Sequence, residues 1–150
     1  MSRVTLIQHI NIPISDRERT RQWYEQVLGA EFLDRGPELN QRQLQFRIGS
    51  GEIHTTDTPT PTPSGHFAVE IRDWEDMIAN LDALGVPYSP PTVRAYSHGH
   101  STYIHDPDGN CIELVQHPLG VKDSKGNEVE LVHDAESLTW ARLPGYGPAT

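Results

Sequence analysis

The sequence predicts an α+β fold made of two β-α-β-β-β modules, because one pattern of strands, helix and turns occurs twice in its 150 residues. The stretch 9–16 (HINIPISD) aligns without a gap with 66–73 (HFAVEIRD), 57 positions later. The glycines that end the following helices, Gly29 and Gly85, keep nearly the same spacing of 56. Self-similarity that survives through a strand and a helix indicates a repeated structural unit.

Each repeat opens with a strand that starts at a histidine and alternates apolar residues with others. Alternation sends successive side chains to opposite faces, so His9 and His66 lie on the face away from the core. The predicted core-facing residues are Ile10, Ile12 and Ile14 in the first repeat and Phe67, Val69 and Ile71 in the second.

A helix is predicted after each of these strands. Asp16 and Asp73 are typical N-cap residues, since their carboxylates accept hydrogen bonds from free backbone N–H groups. Gly29 and Gly85 suit the left-handed conformation that follows a helix. Turn residues then predict a hairpin in each half, at 44–56 and 102–116, and a short strand before each hairpin, near 31–34 and 86–88.

These elements divide the chain into four parts. The first module is predicted at 4–57 and the second at 66–117, joined by the stiff Pro/Thr linker 58–65. The C-terminal extension, 118–150, lies outside the repeat. Within it, 122–132 is predicted to form a further hairpin.

Composition excludes several classes of function. Twelve Lys and Arg against 21 Asp and Glu give a net charge of −9, which argues against a nucleic-acid binder and against adsorption to anionic membranes. The single cysteine, Cys111, permits no intramolecular disulfide. No signal-peptide pattern and no run of about 20 apolar residues is found, so a cytoplasmic location is expected.

Four potential metal ligands occupy two pairs of equivalent positions. His9 matches His66, and alignment of the return strands matches His54 with Glu113. Two sheets facing each other would bring these positions together in one cleft. Imidazole and carboxylate suit Fe(II), Mn(II), Ni(II), Co(II) or Zn(II), and two His with one carboxylate leave sites open for a substrate or O₂.

Two further residues have alternative interpretations. His54 is a fourth ligand, an acid–base group, or a strand residue that faces the cleft. Tyr103 donates a hydrogen bond into the metal cavity if its face is that of Glu113. The alternative is a core aromatic, as Phe46 at the matching place in the first half suggests. Cys111 shares the Glu113 face by parity, where a buried thiol is usually inert packing.

The chain resembles the vicinal-oxygen-chelate superfamily of glyoxalase I, fosfomycin-resistance proteins, extradiol dioxygenases and bleomycin-resistance proteins. The resemblance covers about residues 4–117 and rests on the stretches HINIPISD, WYEQVLGAEF, EIH, HFAVEIRD and YIHDPDGNCIELVQ. It implies that the two modules form an open, partly closed eight-stranded barrel around a metal. It also implies a homodimer, sometimes with each site built from both chains, and His9, His66 and Glu113 as metal ligands.

Individual branches of the superfamily fit less well. Glyoxalase I normally has Glu where this chain has His54, and fosfomycin-resistance proteins have a more basic loop than 94–100. Extradiol dioxygenases share a tyrosine placed like Tyr103, although an apolar residue precedes it where this chain has Thr102. Bleomycin-type binders generally lack the metal ligands.

The expected function is a metal-dependent enzyme whose small-molecule substrate chelates the metal through two adjacent oxygens. Fe(II) or Mn(II) is favoured, and His54 or Tyr103 would move the proton. A dioxygenase is preferred over a glyoxalase-like lyase or isomerase. The alternatives are a non-catalytic small-molecule binding protein and a structural homodimer module whose tail docks a partner.

Overall fold

A computed structural model of the chain describes residues 3, 7–93, 100–116, 121–122 and 128–129. Two four-stranded sheets, each with a long helix between its first two strands, confirm the α+β class with paired β-α-β-β-β modules. The first sheet contains β1 (His9–Ile14), β2 (Glu31–Phe32), β3 (Gln45–Ile48) and β4 (Gly51–Asp57). The second contains β5 (His66–Glu70), β6 (Thr92–Val93), β7 (His100–His105) and β8 (Cys111–Gln116).

The two sheets have the same topology. Their strand orders are β1-β4-β3-β2 and β5-β8-β7-β6, with β1 parallel to β4 and β5 parallel to β8. The other neighbours are antiparallel. Each repeat histidine therefore begins an edge strand. Closure of the sheets into one barrel stays a prediction.

Both predicted helices form with the expected caps. Helix α1 (Arg17–Leu28) follows Asp16, whose carboxylate accepts from the Arg19 N–H at 2.9 Å, and ends at Gly29 with φ of 63°. A short helix that the sequence did not predict, α2 (Pro37–Arg42), lies between β2 and β3. Its one large apolar residue leaves no helical stripe to recognise. Helix α3 (Trp74–Leu84) is capped by Asp73 in the same way as α1.

The strand predicted at 86–88 was wrong. Tyr88 makes only an isolated bridge with Ile104, and the strand that joins β7 is Thr92–Val93. Pro87 has no N–H to donate to a sheet, which opposes a regular strand at that place.

One hydrophobic core extends through both modules. The Tyr24 hydroxyl donates to Asp106 Oδ2 at 2.9 Å, and the Asn110 amide donates to the Pro13 carbonyl at 3.0 Å. Helices α1 and α3 also contact each other. The largest fully buried side chains are Tyr24, Phe46, Ile14, Ile53, Leu81, Ile104, Ile112 and Leu114.

In the C-terminal extension, β9 (Val121–Lys122) pairs antiparallel with β10 (Glu128–Val129), as expected of the predicted hairpin. The remainder of that prediction, and the rest of 118–150, lie outside the described residues. Within the described part of the chain, none of the helices has the length and apolar character needed to cross a membrane.

Candidate functional site

Strand register defines two polar faces, one on each sheet, that point away from the core. Residues directly opposite each other on neighbouring strands share a face. In the first sheet, Glu52 is opposite His9, and His54 is opposite both Asn11 and Gln45. We call this side of the first sheet, with His9, Asn11, Gln45, Glu52 and His54, the first polar face.

The second polar face carries the equivalent positions of the second sheet. Cys111 is opposite His66 and His105, and Glu113 is opposite Tyr103. These five residues, His66, Tyr103, His105, Cys111 and Glu113, define that face. The alignment of His9 with His66 and of His54 with Glu113 therefore corresponds to equivalent positions in the two sheets.

On the second polar face, His66 and Glu113 meet. The distance from His66 Nε2 to Glu113 Oε2 is 3.2 Å, and the side chain of Glu113 is buried whereas that of His66 is 47% exposed. The edge of the Tyr103 ring lies against the His66 ring, with 5.6 Å between centroids. Tyr103 is therefore on the Glu113 face and not in the core.

The sequence alignment of Tyr103 with Phe46 was wrong. Phe46 is opposite Ile53 and fully buried, so its equivalent in the second sheet is Ile104, which is opposite Ile112. The residue of the first sheet that is equivalent to Tyr103 is Gln45, because Gln45 is opposite His54 as Tyr103 is opposite Glu113. Phe46 and Tyr103 are separated by 57 positions, the spacing that relates β1 to β5, but the register of the third strands requires 58. The segment before the third strand is longer in the second module, since Tyr103 follows Gly85 by 18 positions whereas Gln45 follows Gly29 by 16.

The His66–Glu113 pair suits a divalent metal. Two donor atoms bound side by side to one ion, with bonds of about 2.1 Å, lie about 3 Å apart. The separation of Nε2 and Oε2 is close to that value, and both atoms belong to ligand types that Fe, Mn, Co, Ni and Zn accept. This pair could therefore supply two ligands without large rearrangement.

On the first polar face, His9 and His54 stack. Their ring centroids are 4.0 Å apart, with an interplanar angle of 13°. His54 Nε2 is 2.8 Å from Glu52 Oε2, and Glu52 Oε1 also accepts from the Arg35 guanidinium at 2.7 Å. The hydrogen bond from His54 is the main cause that holds the pKa of Glu52 below its ordinary range.

The four candidate ligands thus form two pairs, His9 with His54 and His66 with Glu113. Within the described part of a single chain, no three His, Cys, Asp or Glu side chains converge closely enough to hold a metal ion. Each polar face of one chain therefore brings together two of the four predicted ligands.

Sequence reasoning missed Glu52 and Gln45. Both follow from the hairpin register, since the turn at Gly49–Ser50 sets Ile48 opposite Gly51 and hence Gln45 opposite His54. Counting from that turn would have found them.

The single cysteine, Cys111, and two further described histidines, His100 and His105, do not belong to these two pairs. Burial, followed by the nearby Glu113 carboxylate, raises the pKa of the Cys111 thiol. His105 is exposed on the second polar face. His100 stacks on Trp74 with 5.2 Å between ring centroids, on the opposite side of the sheet from Tyr103.

Comparison with known proteins extends these findings. The chain is 24% identical over 108 residues to a trivalent organoarsenical cleaving enzyme from Bacillus sp. strain MD1, covering 68% of this chain and 67% of that one. It is 27% identical over 127 residues to a lactoylglutathione lyase from Arabidopsis thaliana, covering 72% of this chain and 43% of the larger enzyme.

A solved structure has the same fold. TnmS3, an antibiotic binding protein from Streptomyces sp. CB03234, superimposes with a TM-score of 0.63 at 24% identity, over 79% of this chain and all of that one. Residues 6–114 match the family model described as Glyoxalase/Bleomycin resistance protein/Dioxygenase superfamily, which is most of the chain. The chain belongs to the Glyoxalase/Bleomycin resistance protein/Dioxygenase superfamily.

Proposed function

We propose that this chain is a divalent-metal-dependent enzyme that acts on a small molecule chelating the metal through two adjacent oxygens. The proposed ligands are His9, His66 and Glu113, with His54 as a fourth ligand or as the acid–base group. The observation that carries the proposal is the 3.2 Å approach of His66 Nε2 to Glu113 Oε2 on the second polar face. Fe(II) or Mn(II) is the favoured metal.

We further infer that a homodimer completes the site. His9 and His54 lie on one sheet and His66 and Glu113 on another, and no set of three potential ligands converges within the described residues of one chain. Both histidines that open the repeats belong to edge strands. A second copy could therefore bring its first polar face against the second polar face of its partner.

The chain's own residues would act on the proton. A bound divalent metal would supply a Lewis acid for the chelating oxygens, or a centre for O₂. His54 is held by Glu52 at 2.8 Å, which fixes its ring for proton transfer. The Tyr103 ring lies beside His66, so its hydroxyl is suited to donate to a substrate oxygen at the same cleft.

A dioxygenase is the reaction we favour. Two histidines and one carboxylate would hold the metal and leave it open to a chelating substrate and O₂. His54 where glyoxalase I normally has Glu favours the dioxygenase over a lyase or isomerase. The similarity to an organoarsenical cleaving enzyme is compatible with bond cleavage at such a centre.

Two alternatives each have an observation in their favour. The 27% identity to a lactoylglutathione lyase supports a lyase or isomerase. The fold shared with an antibiotic binding protein is compatible with a cleft that holds a small molecule without chemistry.

Metal content and O₂ uptake together test the proposal. Protein purified without a metal-affinity tag is expected to hold about one equivalent of Fe or Mn per chain by elemental mass spectrometry. His66→Ala and Glu113→Ala should lose it. The matched control is His105→Ala, an exposed histidine on the same face that should keep the metal.

The reaction is then assigned with the loaded protein. O₂ uptake with catechol is expected for a dioxygenase. Turnover of a thiol hemiacetal without O₂ uptake would favour the lyase or isomerase. A wild-type chain that takes up no metal, even on reconstitution, would overturn the enzyme and leave the binding protein.

A further inference from the structure

We propose that Gln45 is a ligand-positioning residue whose side-chain carbonyl accepts a hydrogen bond from the small molecule bound beside His54. The inference rests on the proposed function and deepens it, because it assigns the bound molecule an O–H or N–H donor in addition to its chelating oxygens.

The first observation is that Gln45 Oε1 is buried and has no partner. The residue is only 5% exposed, and Oε1 accepts no hydrogen bond. Buried polar groups are normally paired, so an unpaired one requires a reason such as a ligand that completes it. Other buried polar side chains in the strands are paired, as Thr55 is with the Leu44 backbone.

Thr20 Oγ1 is the other unpaired buried oxygen among the described side chains. It belongs to helix α1 and not to a polar face. Gln45, in contrast, lies directly across the β3–β4 ladder from His54, which sets both side chains on the first polar face.

The second observation is the equivalence of the two sheets. Gln45 is opposite His54 as Tyr103 is opposite Glu113. Each module therefore sets one hydrogen-bonding side chain next to its candidate ligand on the central strand. The two differ in chemistry, since a carbonyl oxygen only accepts whereas a phenol can donate. The cleft would thus offer an acceptor at Gln45 and a donor at Tyr103, which requires a complementary polar molecule.

If Gln45 binds the ligand, an apolar replacement should increase the stability of the metal-free protein and decrease its affinity for the ligand. An apolar side chain of similar size would stabilise the metal-free protein, because it removes the unpaired carbonyl. It would also leave the donor of the ligand without a partner. A purely structural Gln45 would give the reverse, because its loss would break contacts of the folded chain.

The experiment compares Gln45→Met with the matched control Gln26→Met, an exposed glutamine on α1. Tm is measured on metal-free protein, Mn(II) content by elemental mass spectrometry, and Kd on Mn(II)-loaded protein for pyrogallol, which has a third hydroxyl beside its two chelating oxygens. We expect Gln45→Met to raise Tm, keep the Mn(II) content and weaken pyrogallol binding roughly tenfold. The control should behave as the wild type in all three.

Either of two results would overturn the inference: a Tm for Gln45→Met below that of the control, or pyrogallol binding equal to that of the wild type. Failure of the wild-type chain itself to bind Mn(II) or pyrogallol would count against the proposed function. In that case the Tm comparison would decide on Gln45 alone, a rise supporting the inference and a fall overturning it.

Discussion

Tyr24 and Asp106 form a hydrogen bond inside the core that joins the two modules. Tyr24 is fully buried, and its hydroxyl donates to Asp106 Oδ2 at 2.9 Å. The same carboxylate accepts from the Asn110 side chain at 2.8 Å. Burial, and then the negative charge of Asp106, raise the pKa of the Tyr24 phenol far above its ordinary range. The phenol therefore acts as a fixed donor at all ordinary pH values.

Tyr24→Phe should lower the free energy of unfolding by about 1–3 kcal/mol, since it removes a donor from a buried carboxylate without changing the ring volume. Urea unfolding followed by circular dichroism measures this. Tyr88→Phe is the matched control, because the Tyr88 hydroxyl bonds Asp82 at the surface. That variant should change stability by less than about 0.5 kcal/mol. Equal losses in both variants would contradict a special role for Tyr24.

For single residues, the sequence predicted the face of a strand on which a side chain lies better than it predicted the pairing of residues between strands. Strict alternation identified Ile12 and Ile14 as core residues and His9 as exposed, because one strand's parity needs no partner. The predicted equivalence of Phe46 and Tyr103 was wrong because the segments that precede the two hairpins differ in length. The spacing between the two halves therefore changes along the chain. The unpaired oxygen of Gln45 has no sequence signature, since it depends on what surrounds the side chain.

The turn between β7 and β8 holds the end of β1 by hydrogen bonds and an ion pair. Asp108 accepts from the Ser15 backbone N–H at 3.0 Å and from the Ser15 hydroxyl. The Arg19 guanidinium is 2.8 Å from the same carboxylate, whose side chain is 5% exposed. Burial alone would raise the pKa of Asp108, but the hydrogen bonds from Ser15 and the charge of Arg19 outweigh it and hold the pKa below its ordinary value of 3.8.

Asp108 should therefore contribute to acid unfolding. A carboxyl with a lowered pKa in the folded state contributes its stability above pH 3.8 and loses it as the pH falls through the folded-state pKa. Asp108→Asn should be less stable at pH 7 and lose less of its remaining stability on further acidification. The measurement is the free energy of unfolding between pH 7 and pH 2, with the exposed Asp76→Asn as control. An unchanged slope in Asp108→Asn would contradict the assignment.

The elements that the sequence predicted are those with local signals at both ends. Asp16 and Gly29 delimit α1, and Asp73 and Gly85 delimit α3, each by contacts within a few residues. Helix α2 has a Pro at its start but no side-chain cap and no apolar stripe, so local pattern could not reveal it. The module boundaries at 4–57 and 66–117 remain predictions.

At the scale of the molecule, the four candidate ligands are divided between two sheets. The second polar face contains a His–carboxylate pair with ligand-like spacing, and the first contains a stacked His pair. The sequence could predict that these positions are equivalent, because equivalence follows from the repeat. It could not predict whether one chain or two assemble them, since this depends on how whole sheets pack.

In the proposed homodimer, each metal site takes His9 and His54 from one chain and His66 and Glu113 from the other. A chain lacking His9 and a chain lacking Glu113 would then complement each other. In their heterodimer one site loses both residues, and the other site is intact.

The most direct test is therefore the metal content of mixed variants. His9→Ala and Glu113→Ala should each bind no metal alone, whereas refolding them together in equal amounts should restore about a quarter of the wild-type metal, because about half of the dimers are mixed and each has one intact site of two. His66→Ala mixed with Glu113→Ala is the control and should restore none, since both changes affect the same half of the site. Recovery in the first mixture alone supports a metal site shared between two chains; no recovery in either mixture, with metal bound by the wild type, would contradict it.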